Sequence, residues 1–422
     1  MNRIQIYMLN NMTGILVIFI SSLCFTLILT PIVRNAASRW NLLDRPSERK
    51  VHTKSIPRLG GLAMYVAFCL PFLLGMIFSP SLREHLLSNC NLPWVFGGAT
   101  LVFLMGLMDD VRRLRPGVKL TVQLVAALMS YMAGIDICRI ELPWDSVWTL
   151  GWFSLPVTVL WFLTVINGIN LIDGLDGLAS GVTLFASLVL LALSIMEDRY
   201  MVALGLASLA GASLGFLRYN FNPASIFMGD SGSYFLGYML AALSVLGSMK
   251  SHATVALLIP IIALGLPLVD TTLAPIRRFL LGKNPFEPDR NHIHHKLLSK
   301  GLTHRKVVLL MYGTTILLGL AALAIVKIHD ERAAAILLIL GVIAVLGIRK
   351  LGYLEYIGYD KVIGYLRDVA DEAGLQKQRR AFLDKQIAIN RAGNADEMWE
   401  QVIDAMEFLK IDVAEIQFNG VC

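Results

Sequence analysis

Apolar residues fill long windows again and again along this chain, separated by short polar stretches. The windows run roughly over 13–33, 59–79, 94–108, 118–134, 153–169, 178–196, 201–217, 233–249, 253–274, 307–327 and 333–349. At about 1.5 Å of rise per residue, a helix built from about 20 such residues crosses a bilayer. The pattern predicts an all-α polytopic membrane protein with about eleven transmembrane helices. The first apolar run exceeds a signal-peptide core and has no small-residue cleavage site after it, so it reads as a retained span.

Past residue 350 the pattern changes. "DKVIGYLRDVADEAGLQKQRRAFLDKQIAINR" reads as helix and breaks near "AGN". "NADEMWEQVIDAMEFLKI" then opens on Asn394 as an N-cap and places Met398, Val402, Ile403, Met406 and Leu409 on one face. The alternating run "IDVAEIQF" predicts a short final strand. The organisation is a membrane domain over 1–350 and a small α/β tail over 351–422. Two helices and a lone strand do not close a core, so the tail is expected to dock on a partner or to pair in a homodimer.

Composition agrees with lipid as the solvent. The 422 residues are 56% hydrophobic and 16% charged, whereas a soluble domain carries about 25% charged residues. The net charge of +6 is uneven: the tail is acidic, so the membrane part holds the basic excess. Numbering the loops alternately puts twenty Lys and Arg residues in one set and seven in the other. The positive-inside rule then places the N-terminus outside and the tail in the cytoplasm. The excess charge speaks for orientation and anionic head groups, and against nucleic acid. The segment 135–152, with its tryptophans, is expected along the outer interface. Five scattered cysteines with no C-x-x-C pair predict neither a disulfide framework nor a zinc site.

The loops on the cytoplasmic side carry nearly all the candidate chemistry. "GLMDD" ends the third span, so Asp109 and Asp110 sit at the negative end of a helix dipole, where they need a cation. Arg112, Arg113 or Arg115 could supply it, and so could a divalent metal. Oxygen ligands with retained waters suit Mg²⁺. In "NGINLIDGLDGLASG", Asn167, Asn170, Asp173 and Asp176 step by three, a spacing that one ideal helix face cannot present together. The interleaved glycines predict a broken helix or tight turn lining a cavity. Asp176 is also placed to cap the next span. Asp230 in "FMGDSGS" fits either a helix cap or a metal ligand, with Ser231 or Ser233 free to cap instead. His292, His294 and His295, beside Arg290 and Lys296, suit a phosphate or sugar diphosphate, or a basic loop touching lipid head groups. A transporter for an anionic substrate would instead place its carboxylates near the midplane, open to both faces.

Taken together, "RKVHTKSIPRLGGLA", "GLMDD", "NGINLIDGLDGLASG", "FMGDSGS" and "PDRNHIHHKL" resemble the polyprenyl-phosphate N-acetylhexosamine-1-phosphate transferase family over roughly residues 13–350. The family includes the MurNAc-pentapeptide translocase and enzymes that start O-antigen and other cell-surface polymers. The resemblance implies transfer of a sugar 1-phosphate from a UDP-sugar to undecaprenyl phosphate, with release of UMP and a need for Mg²⁺ (Mn²⁺ substituting), on the cytoplasmic face of a bacterial inner membrane. It implies Asp230 and Asp110 as metal residues, with Asp109 near the lipid phosphate and Lys119 on a phosphate. Asn167, Asn170, Asp173 and Asp176 would support the nucleotide site, with Phe227 on uracil. Lys54 or His52 would join them, and Arg290, His292, His294 and His295 would meet the diphosphate or sugar. The interrupted histidine run after Asp289-Arg290 resembles the UDP-N-acetylhexosamine branch more than the peptidoglycan branch. UDP-GlcNAc is the first expectation, and UDP-GalNAc or a modified hexosamine the second.

Overall fold

The computed structural model describes residues 3–44, 55–88, 91–141, 147–248, 258–265, 267–269, 271–272, 293–327, 339, 341–343, 385–390 and 392–409. The expected spans at 333–349, the helix preceding residue 385 and the final strand lie wholly or almost wholly outside them. The chain divides into two compact units, Met1–Thr271 with Ile293–Leu340, and Thr272–His292 with Gly341–Cys422.

Apolar runs fold as helices here for a reason specific to lipid: each backbone N–H and C=O must find its partner inside the segment. In the first unit these helices are α1 (Arg3–Arg39), α2 (Gly60–Phe78), α3 (Pro80–Ser88), α4 (Leu92–Val111), α5 (Pro116–Met132), α6 (Ser154–Ile172), α7 (Leu178–Met196), α8 (Tyr200–Asn220), α9 (Gly229–Ser248), α10 (Leu258–Ala263), α11 (Ile293–Ser299) and α12 (His304–Lys327). Seven helical stretches are long and apolar enough to cross a membrane: Met12–Arg39, Gly60–Phe78, Leu92–Val111, Gly151–Ile172, Leu178–Met196, Tyr200–Asn220 and His304–Ile325. The protein is a mostly helical, polytopic membrane protein. The expected spans at 118–134 and 233–249 coincide with α5 and α9, and only part of 253–274 is described, including α10.

Helix α9 is the centre of the unit, flanked by α2, α4 and α6. Small residues set how close these neighbours come, the usual solution where no hydrophobic effect drives helix association. A Cβ on Gly106 of α4 would lie 2.5 Å from the Asp230 carbonyl oxygen, and one on Gly237 of α9 would lie 2.6 Å from the Ile166 Cα of α6. These are backbone-to-backbone crossings. Around them, Phe68, Phe162, Phe216, Phe235 and Tyr238 are fully buried, and the Tyr65 and Phe103 rings stack with centroids 4.1 Å apart. Leu16, Ile28, Leu309 and Leu317 are exposed on α1 and α12, as side chains facing lipid would be.

Two small antiparallel sheets lie at opposite ends of the helices. Strands β1 (Leu43–Asp44) and β2 (Ile56–Pro57) pair Leu43 with Pro57 and Asp44 with Ile56. Strands β3 (Arg139–Glu141) and β4 (Val147–Thr149) form a hairpin between α5 and α6. Trp148 and Trp152 beside that hairpin are exposed, in keeping with the aromatic interface segment expected at 135–152.

In the second unit, helix α13 (Ala395–Leu409) begins as the pattern predicts. Asn394 Oδ1 accepts the Glu397 N–H at 2.7 Å, and Glu397 Oε2 accepts the Gly393 N–H at 2.9 Å. This reciprocal cap satisfies two otherwise orphaned donors. Asp404 on its polar face pairs with Lys385.

Candidate active site

Chain direction alternates through the bundle, so the C-terminal ends of α4, α6 and α8 meet the N-terminal ends of α2, α5, α9 and α12 at one level. There they surround a cavity of about 810 Å³. Its wall includes Asp110, Asp173, Asp176 and Asp230 with Phe227, and also Arg58, His295 and His304. Carboxylates this deep cost several kcal/mol unless compensated, and the structure compensates all but Asp173, each differently.

Asp109 is held where α4 ends. Its Oδ1 accepts the Leu114 N–H at 2.6 Å, and its Oδ2 accepts Lys119 Nζ at 2.7 Å. Lys119 also donates to Asp230 Oδ2 at 2.8 Å, so one ammonium bridges two carboxylates. The Tyr234 ring lies 5.8 Å from that ammonium and adds a cation–π contact. The compensating cation expected from Arg112, Arg113 or Arg115 is thus Lys119 on the next helix. Asp230 Oδ1 accepts Asn170 Nδ2 at 3.1 Å, and the same nitrogen donates to Ser233 Oγ at 2.9 Å.

Asp110 does something that no local pattern specifies. Its Oδ1 accepts the Asp230 N–H at 2.8 Å; its Oδ2 accepts the Ser231 N–H at 3.0 Å and the Ser231 hydroxyl at 2.6 Å. It is the N-cap of α9, supplied from α4, and it satisfies donors that a helix start leaves open. Neither Ser231 nor Ser233 takes that role: Ser231 donates to Asp110, and Ser233 donates to the Gly229 carbonyl. Gly229 makes the arrangement possible. Its φ is +74°, and a Cβ there would lie 2.6 Å from each Asp110 oxygen.

The "NGINLIDGLDGLASG" stretch is a broken helix lining the cavity, as expected. Helix α6 ends at Ile172, Asp173 and Asp176 occupy the turn, and α7 starts at Leu178. Asp176 does not cap α7; its Oδ2 accepts Asn222 Nδ2 and the Ala224 N–H, each at 3.0 Å, and so fixes the loop before α9. Asn220 extends this latch, accepting the Gly177 N–H at 3.1 Å and donating to the Ile226 carbonyl at 3.0 Å. Phe227 pairs through its backbone with the segment after β2: its N–H donates to Pro57 at 2.7 Å and its carbonyl accepts the Gly60 N–H at 2.9 Å. Asn167 is not part of the cavity wall. Its Nδ2 donates to Gln123 Oε1 at 2.8 Å and to the Leu163 carbonyl at 2.8 Å.

Asp173 is the carboxylate with no side-chain hydrogen bond among the described residues. Burial pushes its pKa well above the ordinary carboxylate range, and Asp230, Asp110 and Asp176 push in the same direction. A group in this position suits a cation from solution. No three carboxylate, imidazole or thiol residues among the described ones converge into a closed metal cage. One or two carboxylates with room left for water and phosphate are a donor set that suits Mg²⁺.

His295 reaches the cavity wall. Lys54, His52, Arg290 and His292, and the side chain of His294, lie outside the described residues. Sequence reasoning gave no role to Gln123, Asn220, Asn222, Arg58 or His304. Gln123 was visible as a lone amide in an apolar run, one turn from Lys119.

Comparison with known proteins bears on the same stretch. Residues 92–248 match the profile of Glycosyl transferase family 4. A probable undecaprenyl-phosphate N-acetylglucosaminyl 1-phosphate transferase of Bacillus subtilis (strain 168) is 39% identical over 317 residues, which is 74% of this chain and 86% of the relative. A decaprenyl-phosphate N-acetylglucosaminephosphotransferase of Mycobacterium tuberculosis (strain CDC 1551 / Oshkosh) is 34% identical over 76% of this chain and 84% of its own length. An undecaprenyl-phosphate alpha-N-acetylglucosaminyl 1-phosphate transferase of Thermotoga maritima is 31% identical over 70% and 86%, respectively.

Proposed function

The chain belongs to glycosyl transferase family 4, and on that premise we propose that it transfers N-acetylglucosamine 1-phosphate from UDP-GlcNAc to undecaprenyl phosphate. A phosphate oxygen of the lipid attacks the β-phosphorus of the donor. The bond from that phosphorus to the bridging oxygen breaks, and UMP leaves with the electron pair. The product is a lipid diphosphate sugar. One observation carries the reading: Asp110, Asp173 and Asp230, from three separate helix ends, border one cavity, with Lys119 bridging Asp230 to Asp109.

The reaction brings several negative charges together, so positioning and charge neutralisation supply most of the catalysis. Asp230 and Asp173 would hold Mg²⁺, which when bound there neutralises phosphate charge. Asp110 keeps Asp230 in place through the start of α9, and Asn170 fixes the direction of its carboxylate. Lys119 offers a further positive charge. Asp109 orients Lys119 and is not needed as a base, because a phosphate monoester with a second pKa of about 6 is already mostly dianionic at neutral pH. Phe227 and the loop latched by Asp176 take the uridine. His295 faces the diphosphate or sugar, and Arg290, His292, His294 and Lys54 join it by resemblance. Basic loops at the cavity end orient the site toward the cytoplasm.

The test is purified protein with Mg²⁺, undecaprenyl phosphate and UDP-GlcNAc, UDP-GalNAc or UDP-MurNAc-pentapeptide in parallel. UMP release is expected with UDP-GlcNAc and should stop on chelation. Preference for the MurNAc donor, or release from none, would overturn the assignment.

A further inference from the structure

The cavity has a second chemical face that the carboxylates do not explain. Among the described residues, six buried side-chain nitrogen or oxygen atoms lack a hydrogen-bond partner: Arg58 Nε, Thr183 Oγ1, Ser187 Oγ, Arg199 Nε, Ser213 Oγ and His304 Nε2. Two of the six, Arg58 and His304, belong to the cavity wall. A buried polar atom left open costs about 1–3 kcal/mol, so a side chain that carries one at a cavity wall gains by turning it toward a ligand there.

Both residues are held firmly. Arg58 follows Pro57 and is bracketed by the two backbone bonds to Phe227; its Nη1 lies 3.8 Å from Asp44 Oδ1. Its carbonyl and the Asp110 carboxylate approach the same point beside Gly229, so Arg58 stands next to the acidic cluster. His304 opens α12, and the adjacent Arg305 Nε donates to the Asn222 carbonyl at 3.2 Å. That bond ties His304 to the loop that Asp176 latches. Arg58 thus follows a residue bonded to one end of the segment 222–227, and His304 precedes a residue bonded to the other.

We infer that Arg58 and His304 are donor-binding residues that take the diphosphate of the UDP-sugar beside the acidic cluster. The inference rests on the proposed reaction. A planar guanidinium fork matches paired phosphate oxygens in a way an ammonium does not, and an imidazole N–H adds a donor at short range. A diphosphate that meets these side chains as well as a carboxylate-bound cation is neutralised by both, which neither achieves alone. The same chemistry could serve the lipid phosphate. The bracketing of Arg58 by the Phe227 backbone, and the Arg305 bond beside His304 to the loop that Asp176 latches, favour the nucleotide.

The experiment compares full-length wild type with Arg58→Gln and His304→Gln in detergent. Each variant should raise KM for UDP-GlcNAc and weaken UDP binding at least about tenfold. Uridine binding and KM for undecaprenyl phosphate should stay within about twofold. Arg58→Lys should recover only part of the loss. A larger change in the lipid KM, or equal losses for uridine and UDP, would overturn the inference. So would an Asp44→Asn variant as impaired as Arg58→Gln, because the arginine would then be serving the β1–β2 turn. Wild type that releases no UMP while binding UDP would defeat the proposed reaction and leave the phosphate contacts standing.

Discussion

Gln123 and Asn167 join α5 to α6 as an amide pair, with Asn167 Nδ2 donating at 2.8 Å and Gln123 Nε2 returning a longer contact of 3.5 Å. One turn toward the cavity on each helix stand Lys119 and Asn170, the two side chains that hold Asp230. The pair therefore fixes the spacing of the groups that aim the central carboxylate. Gln123→Leu leaves the Asn167 amide short of a partner and should destabilise the protein by about 1–3 kcal/mol. The double variant Gln123→Leu/Asn167→Leu should lose less than the sum of the singles. Thermal unfolding in detergent reads both, and strict additivity would show that the pair carries no coupling.

Lys119→Met removes the cation shared by Asp109 and Asp230. Turnover should fall at least about 100-fold, or roughly 2.7 kcal/mol in transition-state terms. Adding Asp109→Asn should restore thermal stability by relieving the uncompensated charge, without restoring UMP release. Recovery of both would place Lys119 in the scaffold alone.

Gly229→Ala tests the cap that reaches across from α4. The positive φ alone costs about 1–2 kcal/mol with a Cβ present, and displacing Asp110 adds about 0.5–2 kcal/mol for the lost cap. A lower unfolding temperature and a sharp loss of turnover are expected. Gly117→Ala, where a Cβ would meet nothing within 4 Å, is the matched control and should change little.

Asp173 gives the cavity a pH signature. Its folded pKa lies above its unfolded value, so without metal it contributes stability that is fully present below the unfolded pKa. That contribution is lost as pH rises through the folded pKa. A cation bound to the ionised carboxylate offsets the loss and releases a proton. The rise in unfolding temperature on adding Mg²⁺ should therefore grow as pH rises from the ordinary carboxylate range toward the raised folded pKa, and chelation should reverse it. Asp173→Asn should flatten the dependence; an unchanged slope would assign it to another group.

Cys138, exposed near the β3–β4 hairpin, offers a test of orientation. An impermeant thiol reagent should label it in intact cells. With all five native cysteines replaced as background, restoring Cys138 should restore that labelling, whereas Asn394→Cys should react only after the inner face is opened. Deleting residues 354–422 should leave UMP release intact, since every motif precedes the tail.

How much of this was legible in the chain follows from sequence distance. The helices, the broken turn after α6 and the Asn394 cap were readable because their causes lie within a few residues of one another. The convergence of Asp109, Asp110, Asp173 and Asp230 on one face was readable from loop parity. What the carboxylates do there was not. Asp110 reaches donors 120 and 121 positions away, and it meets them only because Gly106 lets α4 lie against the start of α9. Arg58 and His304 were hidden for the same reason, since their environment is made by a loop distant in sequence from both.

The hairpin with its exposed tryptophans turns α5 and α6 into a gauge of depth. Helix α6 has 19 residues, roughly 28 Å at 1.5 Å each, and it runs from that aromatic end to Asp173. Indole rings settle at the head-group level of the far leaflet, so the gauge hangs the cavity at a set height in the near one. A lipid phosphate occupies a height set by its own leaflet. The two heights coincide only for a hydrocarbon layer of matching thickness, so acyl-chain length in the surrounding membrane becomes a determinant of how well acceptor and enzyme meet.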